Sequence, residues 1–294
     1  SHGLAQGRLN NLQVDVAAIT NISHDHLDYH KNFNNYVKSK FSLFTKFLDK
    51  NGIAVINYRL NNFQTLKKRM KQAKIRTIIF GYKDVYFKYK KKLYLNIFRK
   101  KFLINNLELN NTQKENLECA IACAISMDID IKEILKIIPK LTNAPGRFEC
   151  IKYKKKLSKI IIDYAHTPDA LEHILKTYTY KKIKPSLIFG CGGDRDKLKR
   201  KKMAQISAKY ADKVYITDDN PRYENPSKIR KELKKYCQKG IEISSRRKAI
   251  KVAIENLIKN EVLIIAGKGH EKYQIIKNKK YKFDDFKIAK SYLL

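Results

Sequence analysis

The 294-residue sequence predicts an α/β protein in two domains. Three observations carry that expectation. Apolar, β-branched runs alternate with amphipathic helical stretches through the second half of the chain. Four of those runs stop abruptly at polar, charged loops. A stretch punctuated by Pro139, Pro145 and Gly146 separates that half from a first half of different rhythm. Alternation of strand and helix implies βαβ units and a mostly parallel sheet. Ligands of such sheets bind outside the carboxyl ends of the strands, which makes the four loops the candidate site.

In the first domain, residues 1–143, the run Val14 to Ile22 reads as a strand that ends at Ser23-His24-Asp25-His26-Leu27-Asp28-Tyr29-His30. Three histidines and two aspartates so close together would suit a metal, and His26 and His30 lie one helical turn apart. An amphipathic helix is expected from Asn34 to Asp49, with Lys40 beside Phe41; a lysine there would ordinarily extend to solvent. A strand at Ile53–Asn57, a helix at Asn62–Ala73 and a strand at Thr77–Gly81 follow. Short alternating segments between Val85 and Asn106 read as a β-ribbon, and helices follow at Thr112–Met127 and Ile131–Ile138. The second domain, residues 144–294, is expected to hold strands at Lys159–Asp163, Ser186–Gly190, Lys213–Thr217, Ile241–Ser244 and Val262–Ala266. Its helices are expected at Pro168–Thr179, Lys199–Tyr210, Pro226–Tyr236, Arg247–Ile258 and Asp284–Leu293.

The loops after four of these strands are Asp163-Tyr164-Ala165-His166, Gly190-Cys191-Gly192-Gly193-Asp194-Arg195-Asp196, Asp218-Asp219-Asn220-Pro221-Arg222 and Gly267-Lys268-Gly269-His270-Glu271. The second is neither a Walker loop nor GxGxxG. Its glycines allow a backbone to come close either to a ligand or to the next loop. Gly267-Lys268-Gly269 suits a phosphate or carboxylate contact, or simply a tight turn. Asp219 and Arg222 offer opposite charges a few residues apart, as an amino acid's ammonium and carboxylate would require. Taken alone, an ordinary Asn-Pro turn accounts for them as well. No arrangement of Ser, His and Asp suggests a covalent enzyme intermediate.

Composition narrows the classes. Five cysteines, odd in number and without a CxxC pair, argue against a disulfide framework and a zinc site. Cys119 and Cys123 belong to core packing. The formal charge of +35 invites a nucleic-acid reading. Lys, Asn, Ile and Tyr are enriched together along the whole length, however, as a biased coding sequence would produce. The basic residues form no single stripe, and no specific nucleic-acid partner is expected. With no charged-then-apolar leader and no apolar run of about 18 residues, a soluble, cytoplasmic protein without a membrane partner is expected.

The motifs occur in an order that closely resembles the Mur ligases. They are Ser1-His2-Gly3-Leu4 with Gln6 and Arg8, Thr20-Asn21-Ile22-Ser23 with Asp25-His26-Leu27-Asp28-Tyr29-His30, Ala144-Pro145-Gly146-Arg147, Asp163 to Leu171, Gly190 to Lys197, Thr217 to Arg222 and Ala266 to Glu271. The resemblance is nearest to the diaminopimelate-adding branch of that family and spans nearly the whole chain. It implies the C-terminal part of a central, ATPase-type α/β domain, followed by a Rossmann-like C-terminal ligase domain that binds the amino acid.

The activity so implied is ATP-dependent addition of meso-2,6-diaminopimelate to UDP-N-acetylmuramoyl-L-alanyl-D-glutamate through an acyl phosphate, in peptidoglycan biosynthesis. ATP and Mg²⁺ are the implied cofactors, and a monomer is expected. By resemblance, Gln6 and Arg8 hold the muramoyl dipeptide, and His26 is a metal ligand. Lys40 is the lysine carboxylated to an N6-carbamate that joins the metal site, which requires a depressed lysine pKa. Asn116, Arg147 and Asp163 correspond to ATP-site groups. Arg200, Asp219, Asn220, Pro221, Arg222, Gly267 and Glu271 correspond to the diaminopimelate pocket, where arginines meet carboxylates and acids meet the second ammonium.

The sequence departs from the family at its start. The uridine-binding domain, the Gly-rich phosphate loop with its lysine, and an acidic metal-site residue do not precede Ser1. The 294 residues alone are therefore expected not to turn over, and an upstream portion absent from a partial sequence is the expected reason. A lysine-adding or other Mur-type ligase and a basic nucleic-acid-binding protein are the alternatives.

Overall fold

The computed structural model describes residues 1–22, 27–105, 107, 109–179 and 184–293. It divides into two compact units, Ser1–Leu141 and Thr142–Leu294, two residues ahead of the expected boundary.

The first unit contains α1 (His2–Ala5), β1 (Val14–Ile19), α2 (Leu27–His30), α3 (Phe33–Ser42), β2 (Leu48–Asn57), α4 (Phe63–Gln72), β3 (Arg76–Phe80), β4 (Val85–Lys90), β5 (Lys92–Ile97), β6 (Lys100–Ile104), α5 (Asn111–Ser126) and α6 (Ile131–Ile137). Its sheet runs β1-β2-β3-β4-β5-β6; β1 to β3 are parallel and β4 to β6 form the expected ribbon as an antiparallel meander. The helix expected to continue to Asp49 leaves α geometry earlier. A π-helical turn, Leu43–Phe47, follows α3, and β2 begins directly after it. Phe44 and Phe47 are buried, so the wider turn serves the core at a place where amphipathic spacing alone reads as one helix. On the other sheet face, Cys119, Ile121 and Ala122 of α5 pack against Val55, Phe80 and Leu95, which places Cys119 in the core. α5 begins with a capping box between Asn110 and Gln113.

The second unit contains β7 (Glu149–Tyr153), β8 (Ser158–Asp163), α7 (Pro168–Thr179), β9 (Ser186–Phe189), α8 (Leu198–Tyr210), β10 (Val214–Ile216), α9 (Pro226–Tyr236), β11 (Ile241–Glu242), α10 (Arg246–Glu255), β12 (Val262–Ala266), β13 (Tyr273–Ile276), β14 (Lys279–Lys282) and α11 (Asp285–Ser291). The sheet order is β11-β10-β9-β12-β8-β7, parallel except for β7 at the edge. Both faces are covered. One packs with residues of α7, α8 and α9, the other with residues of α10 and α11. Burial on both sides explains the continuous Ile160-Ile161-Ile162 and Leu263-Ile264-Ile265 runs. The edge strand β7 and the β13–β14 hairpin carried no clear apolar period and were not expected. Because β8, β9, β10 and β12 are parallel neighbours, Asp163, Phe189, Ile216 and Ala266 all end at one edge, and the four polar loops leave the same rim.

One charge is held deep in the first unit. Glu118 of α5 is buried, accepts from Phe87 N (2.7 Å) and pairs with Arg59 Nη1 (2.9 Å). Burial pushes its carboxyl above the ordinary value of 4.5, although Arg59 and the Phe87 amide oppose the shift. A raised folded-state pKa gives a stability contribution that is present below the ordinary value and lost as pH rises through the folded one. Glu118→Gln, which keeps an acceptor for one of the two donors and removes the ionisable group, should remove this pH dependence. Urea denaturation of both proteins from pH 4.5 upward should show the variant gaining stability relative to wild type as pH rises.

Candidate functional site

The rim of the second unit is built by loops in backbone contact. A Cβ on Gly190 would overlap the Thr217 carbonyl, one on Gly193 the Pro221 carbonyl, and one on Gly146 the backbone of Gly269 and His270. Gly193 N donates to Asn220 O (2.9 Å) and Gly267 N to Asp163 O (3.1 Å). Of the two uses the sequence allowed for the 190–196 glycines, the structure realises close approach to the next loop. The β13–β14 hairpin closes over the 217–222 loop: Arg222 N donates to Ile275 O (3.1 Å), Lys277 N to Arg222 O (2.7 Å) and Gln274 Nε2 to Asp219 O (2.6 Å).

The two consecutive aspartates are divided. Asp218 turns to Arg230 of α9, which also holds Glu242. Asp219 turns to the 267–271 loop, with one oxygen beside Gly267 and Oδ1 3.6 Å from Lys268 Nζ. That Oδ1 is buried and makes no hydrogen bond. Gly267 has φ +114°, a conformation that favours glycine, and a Cβ there would sit 3.3 Å from the Asp219 carboxylate. Asn220 is fully engaged. Its Oδ1 accepts from Lys268 Nζ and Ile275 N (both 2.9 Å), and its Nδ2 donates to Glu271 Oε2 (2.9 Å). Lys268 Nζ also reaches Glu271 Oε2 (3.0 Å). Sequence reasoning left this lysine out of the site; the signal for it was a cation set between two glycines at a strand end.

Arg222 has φ +51°, an uncommon conformation for a non-glycine residue, fixed here by the buried Pro221 before it and the Ile276 bridge after it. Its Nη1 donates to Gly193 O (2.8 Å). Arg200, expected to receive a ligand carboxylate, is placed otherwise. It is buried, with Nη1 on Glu232 (3.0 Å) and Nη2 on Glu224 (2.9 and 3.0 Å) and Gly192 O (3.3 Å). Glu224 in turn accepts from Asp194 N (2.6 Å), and Asp194 Oδ2 from Tyr223 N (3.0 Å), so Arg200 fastens the 190–196 loop to the 217–225 loop. Arg200 holds the Glu224 carboxyl below the usual range. The exposed loop arginine is Arg195. A Cβ on Gly192 would lie 3.9 Å from its Cγ and 2.9 Å from Arg222 Nη1.

At the other end of the rim, Asp163 accepts from Phe148 N and Ala165 N (both 2.8 Å), tying the 146–148 turn to β8. Burial raises its pKa against those two hydrogen bonds. Arg147 lies over the Tyr164 ring (4.5 Å), and Tyr164 also meets His166 and His270. Asp163 and Arg147 are thus brought together with the 267–271 loop.

In the first unit, Lys40 Nζ donates to Asn21 O (2.8 Å) and lies over the Tyr36 ring (5.0 Å). This places its tip at the carboxyl end of β1. Gln6 and Arg8 are exposed at the end of α1, and Asn116 is exposed on α5. His26 lies outside the described residues. Among the described residues, no three His, Cys, Asp or Glu side chains gather as a metal site, and no helix is long and apolar enough to cross a membrane.

A parallel α/β sheet whose rim loops carry paired acids and arginines defines an α/β domain of the ligase type, and comparison with known families makes the class specific. The pattern of the Mur ligase middle domain matches residues 1–126, and that of the Mur ligase glutamate ligase domain matches residues 146–269. The chain belongs to the Mur ligase family. Its curated relatives include the UDP-N-acetylmuramoyl-L-alanyl-D-glutamate–2,6-diaminopimelate ligases of Rickettsia typhi, 40% identical over 100% of this chain and 61% of that protein, and of Buchnera aphidicola, 36% identical over 100% and 61%. A solved structure of a ligase of that name is 34% identical, covers 99% of this chain and 62% of its own, and superposes with a TM-score of 0.59. A folylpolyglutamate synthase/dihydrofolate synthase from Yersinia pestis, 17% identical with a TM-score of 0.66 over 87% and 59% of the two chains, shares the fold. The chain spans about three-fifths of the length of the curated relatives it matches.

The interlock makes a sharp distinction between neighbouring glycines. Gly193→Ala must displace the Pro221 carbonyl, whereas Gly192→Ala meets only the movable end of Arg222. Gly193→Ala should cost about 1–3 kcal/mol, the range for overpacked sites. Gly192→Ala should cost clearly less, both read as midpoint shifts in chemical denaturation.

Proposed function

We propose that the protein is an ATP-dependent acid–amino-acid ligase that adds meso-2,6-diaminopimelate to UDP-N-acetylmuramoyl-L-alanyl-D-glutamate in peptidoglycan biosynthesis. One observation supports this reading above the others. The buried Oδ1 of Asp219 makes no hydrogen bond, Arg222 follows three residues later in the same loop and Arg195 is exposed in the adjoining one, so the rim offers both charges that an amino-acid end would need. Glu271, half-buried beside them, is a second acid for the ammonium. In this reading Arg222 and Arg195 receive the carboxylate, Asn220 and Pro221 shape the loop, Gly267 gives access to Asp219, and Arg200 holds the two loops in register.

ATP activates the D-glutamyl carboxylate as an acyl phosphate, which the amino group of diaminopimelate attacks to give the amide, ADP and phosphate. Relatives of the same fold have been solved with AMPPNP and Mn and with ADP. We assign Arg147, Asp163 and Asn116 to the nucleotide and Gln6 and Arg8 to the muramoyl dipeptide. Mg²⁺ supplies neutralisation of phosphate charge when bound. Lys40 fits a role there, because its amine ends at the carboxyl end of β1, and as a carbamate it would offer an anionic ligand. The ligand reading implies a cytoplasmic, monomeric enzyme acting on small molecules.

Isothermal titration of the 294-residue chain with meso-diaminopimelate and L-lysine tests the amino-acid assignment. Diaminopimelate should bind at least about tenfold more tightly, a difference of roughly 1.4 kcal/mol. Arg222→Ala should abolish most of that preference. Preferential lysine binding, or lysine-driven ADP release by the protein extended to the full length of its relatives, overturns the assignment.

A further inference from the structure

A fully buried guanidinium stands behind the rim. Arg246 opens α10, and its side chain is 0% exposed, as is that of its partner Asp285 at the start of α11. The pairing is bidentate: Nε donates to Oδ1 (2.9 Å) and Nη2 to Oδ2 (2.8 Å). Nη2 also donates to the carbonyl of Ala266 (2.9 Å), the last residue of β12. Nη1 is buried and makes no hydrogen bond. One side chain thus joins α10 to two elements whose contact residues lie 20 and 39 positions further along the chain.

Ala266 is where the strand becomes the rim. The next residue, Gly267, turns at φ +114° with its N–H held by Asp163 O (3.1 Å), and the loop then brings Lys268 and Glu271 to Asn220. A carbonyl fixed at this point sets the direction in which the loop leaves β12. After Asp285, the carboxylates that act on the guanidinium are Asp219 and Glu271, the two acids assigned to the ligand ammonium. Packing alone does not call for such a pair, because apolar replacements of buried ion pairs are often neutral or stabilising. An apolar side chain cannot, however, hold the Ala266 carbonyl or place a positive charge within reach of two rim acids.

We propose that Arg246 is a positioning residue of the amino-acid site: held by Asp285, it fixes the end of β12 and, through it, the acids that receive the ligand ammonium. The C-terminal helix α11 is thereby part of the binding apparatus, through a buried pair closed off from the ligand. The proposal rests on the amino-acid reading above and goes beyond it in making ligand affinity depend on the docking of α11.

The test pairs stability with affinity on the 294-residue chain, at a temperature where each variant is folded. Arg246→Met/Asp285→Leu removes both charges together and should keep its denaturation midpoint near that of wild type. Arg246→Met alone, which strands the Asp285 carboxylate, should lower it. Titration calorimetry with meso-diaminopimelate should still show the double variant binding about tenfold more weakly, the loss expected of one hydrogen bond from a charged donor. Arg246→Lys keeps a cation with donors for Asp285 and Ala266, and should recover part of that affinity. A double variant that binds as tightly as wild type, or more tightly, overturns the positioning role and leaves the amino-acid reading standing. Wild type that does not bind diaminopimelate removes the reading and the proposal together. Hydrogen exchange of wild type decides even if the double variant does not fold. Diaminopimelate should slow exchange at Gly267 N, bonded to Asp163 O, and at Ile288 N in α11, bonded to Asp284 O. Slowing confined to the rim, with α11 unchanged, overturns the proposal.

Discussion

The close approach of backbones at Gly190, Gly193 and Gly146 is the constraint on which the second unit's rim depends. The four loops leave parallel strands about one strand spacing from their neighbours, and a side chain at these positions would push the backbones apart. Once the backbones touch, their polar groups satisfy one another: Gly193 with Asn220, Gly267 with Asp163, Arg222 with Ile275. The loops then behave as one surface whose side chains have few alternatives. The left-handed Arg222 is a consequence. Its strained backbone persists because the hairpin hydrogen bonds on both sides determine it.

Charge is distributed on this scaffold in two depths. Below the surface, Arg246 with Asp285 is fully buried, and Arg200 is buried between the partly exposed Glu224 and Glu232. Such pairs add little net stability but are costly to break, so they hold geometry more than they stabilise it. Nearer the rim, Asp219 keeps a buried oxygen without a hydrogen bond, and Arg195 is exposed. The division between adjacent residues is sharpest at Asp218 and Asp219. One acid anchors the loop to α9 and the other faces the 267–271 loop.

Much of this was legible from sequence because it rests on period and punctuation. The run Ile160-Ile161-Ile162 within β8 and the strand Val262–Ala266 are apolar, since both sheet faces are covered, and each leads into a charged loop. Parallel alternation then places the loops on one rim without knowledge of any contact. What was not legible depends on partners distant in the chain. Nothing local to β7 or to the 273–282 hairpin announces a strand, because one is a short edge and the other a largely exposed ribbon. The π-turn at Leu43–Phe47 keeps helical spacing closely enough to read as helix.

Arg200 and Arg195 show where a residue-by-residue resemblance reaches its limit. Both are cations near the same glycine loop, and sequence spacing does not say which one faces outward. The deciding fact is the location of Glu224 and Glu232, 24 and 32 positions further along the chain, which reach Arg200 and leave Arg195 at the surface. Arg200 commits Nη1 and Nη2 to two carboxylates and the Gly192 carbonyl, and its remaining Nε is buried without a partner. The same criterion separates Asn220, whose amide oxygen accepts two hydrogen bonds and whose nitrogen donates to Glu271, from Asp219, whose Oδ1 still lacks a donor. On this rim, spent hydrogen-bonding capacity distinguishes the residues that build the site from those available to a ligand.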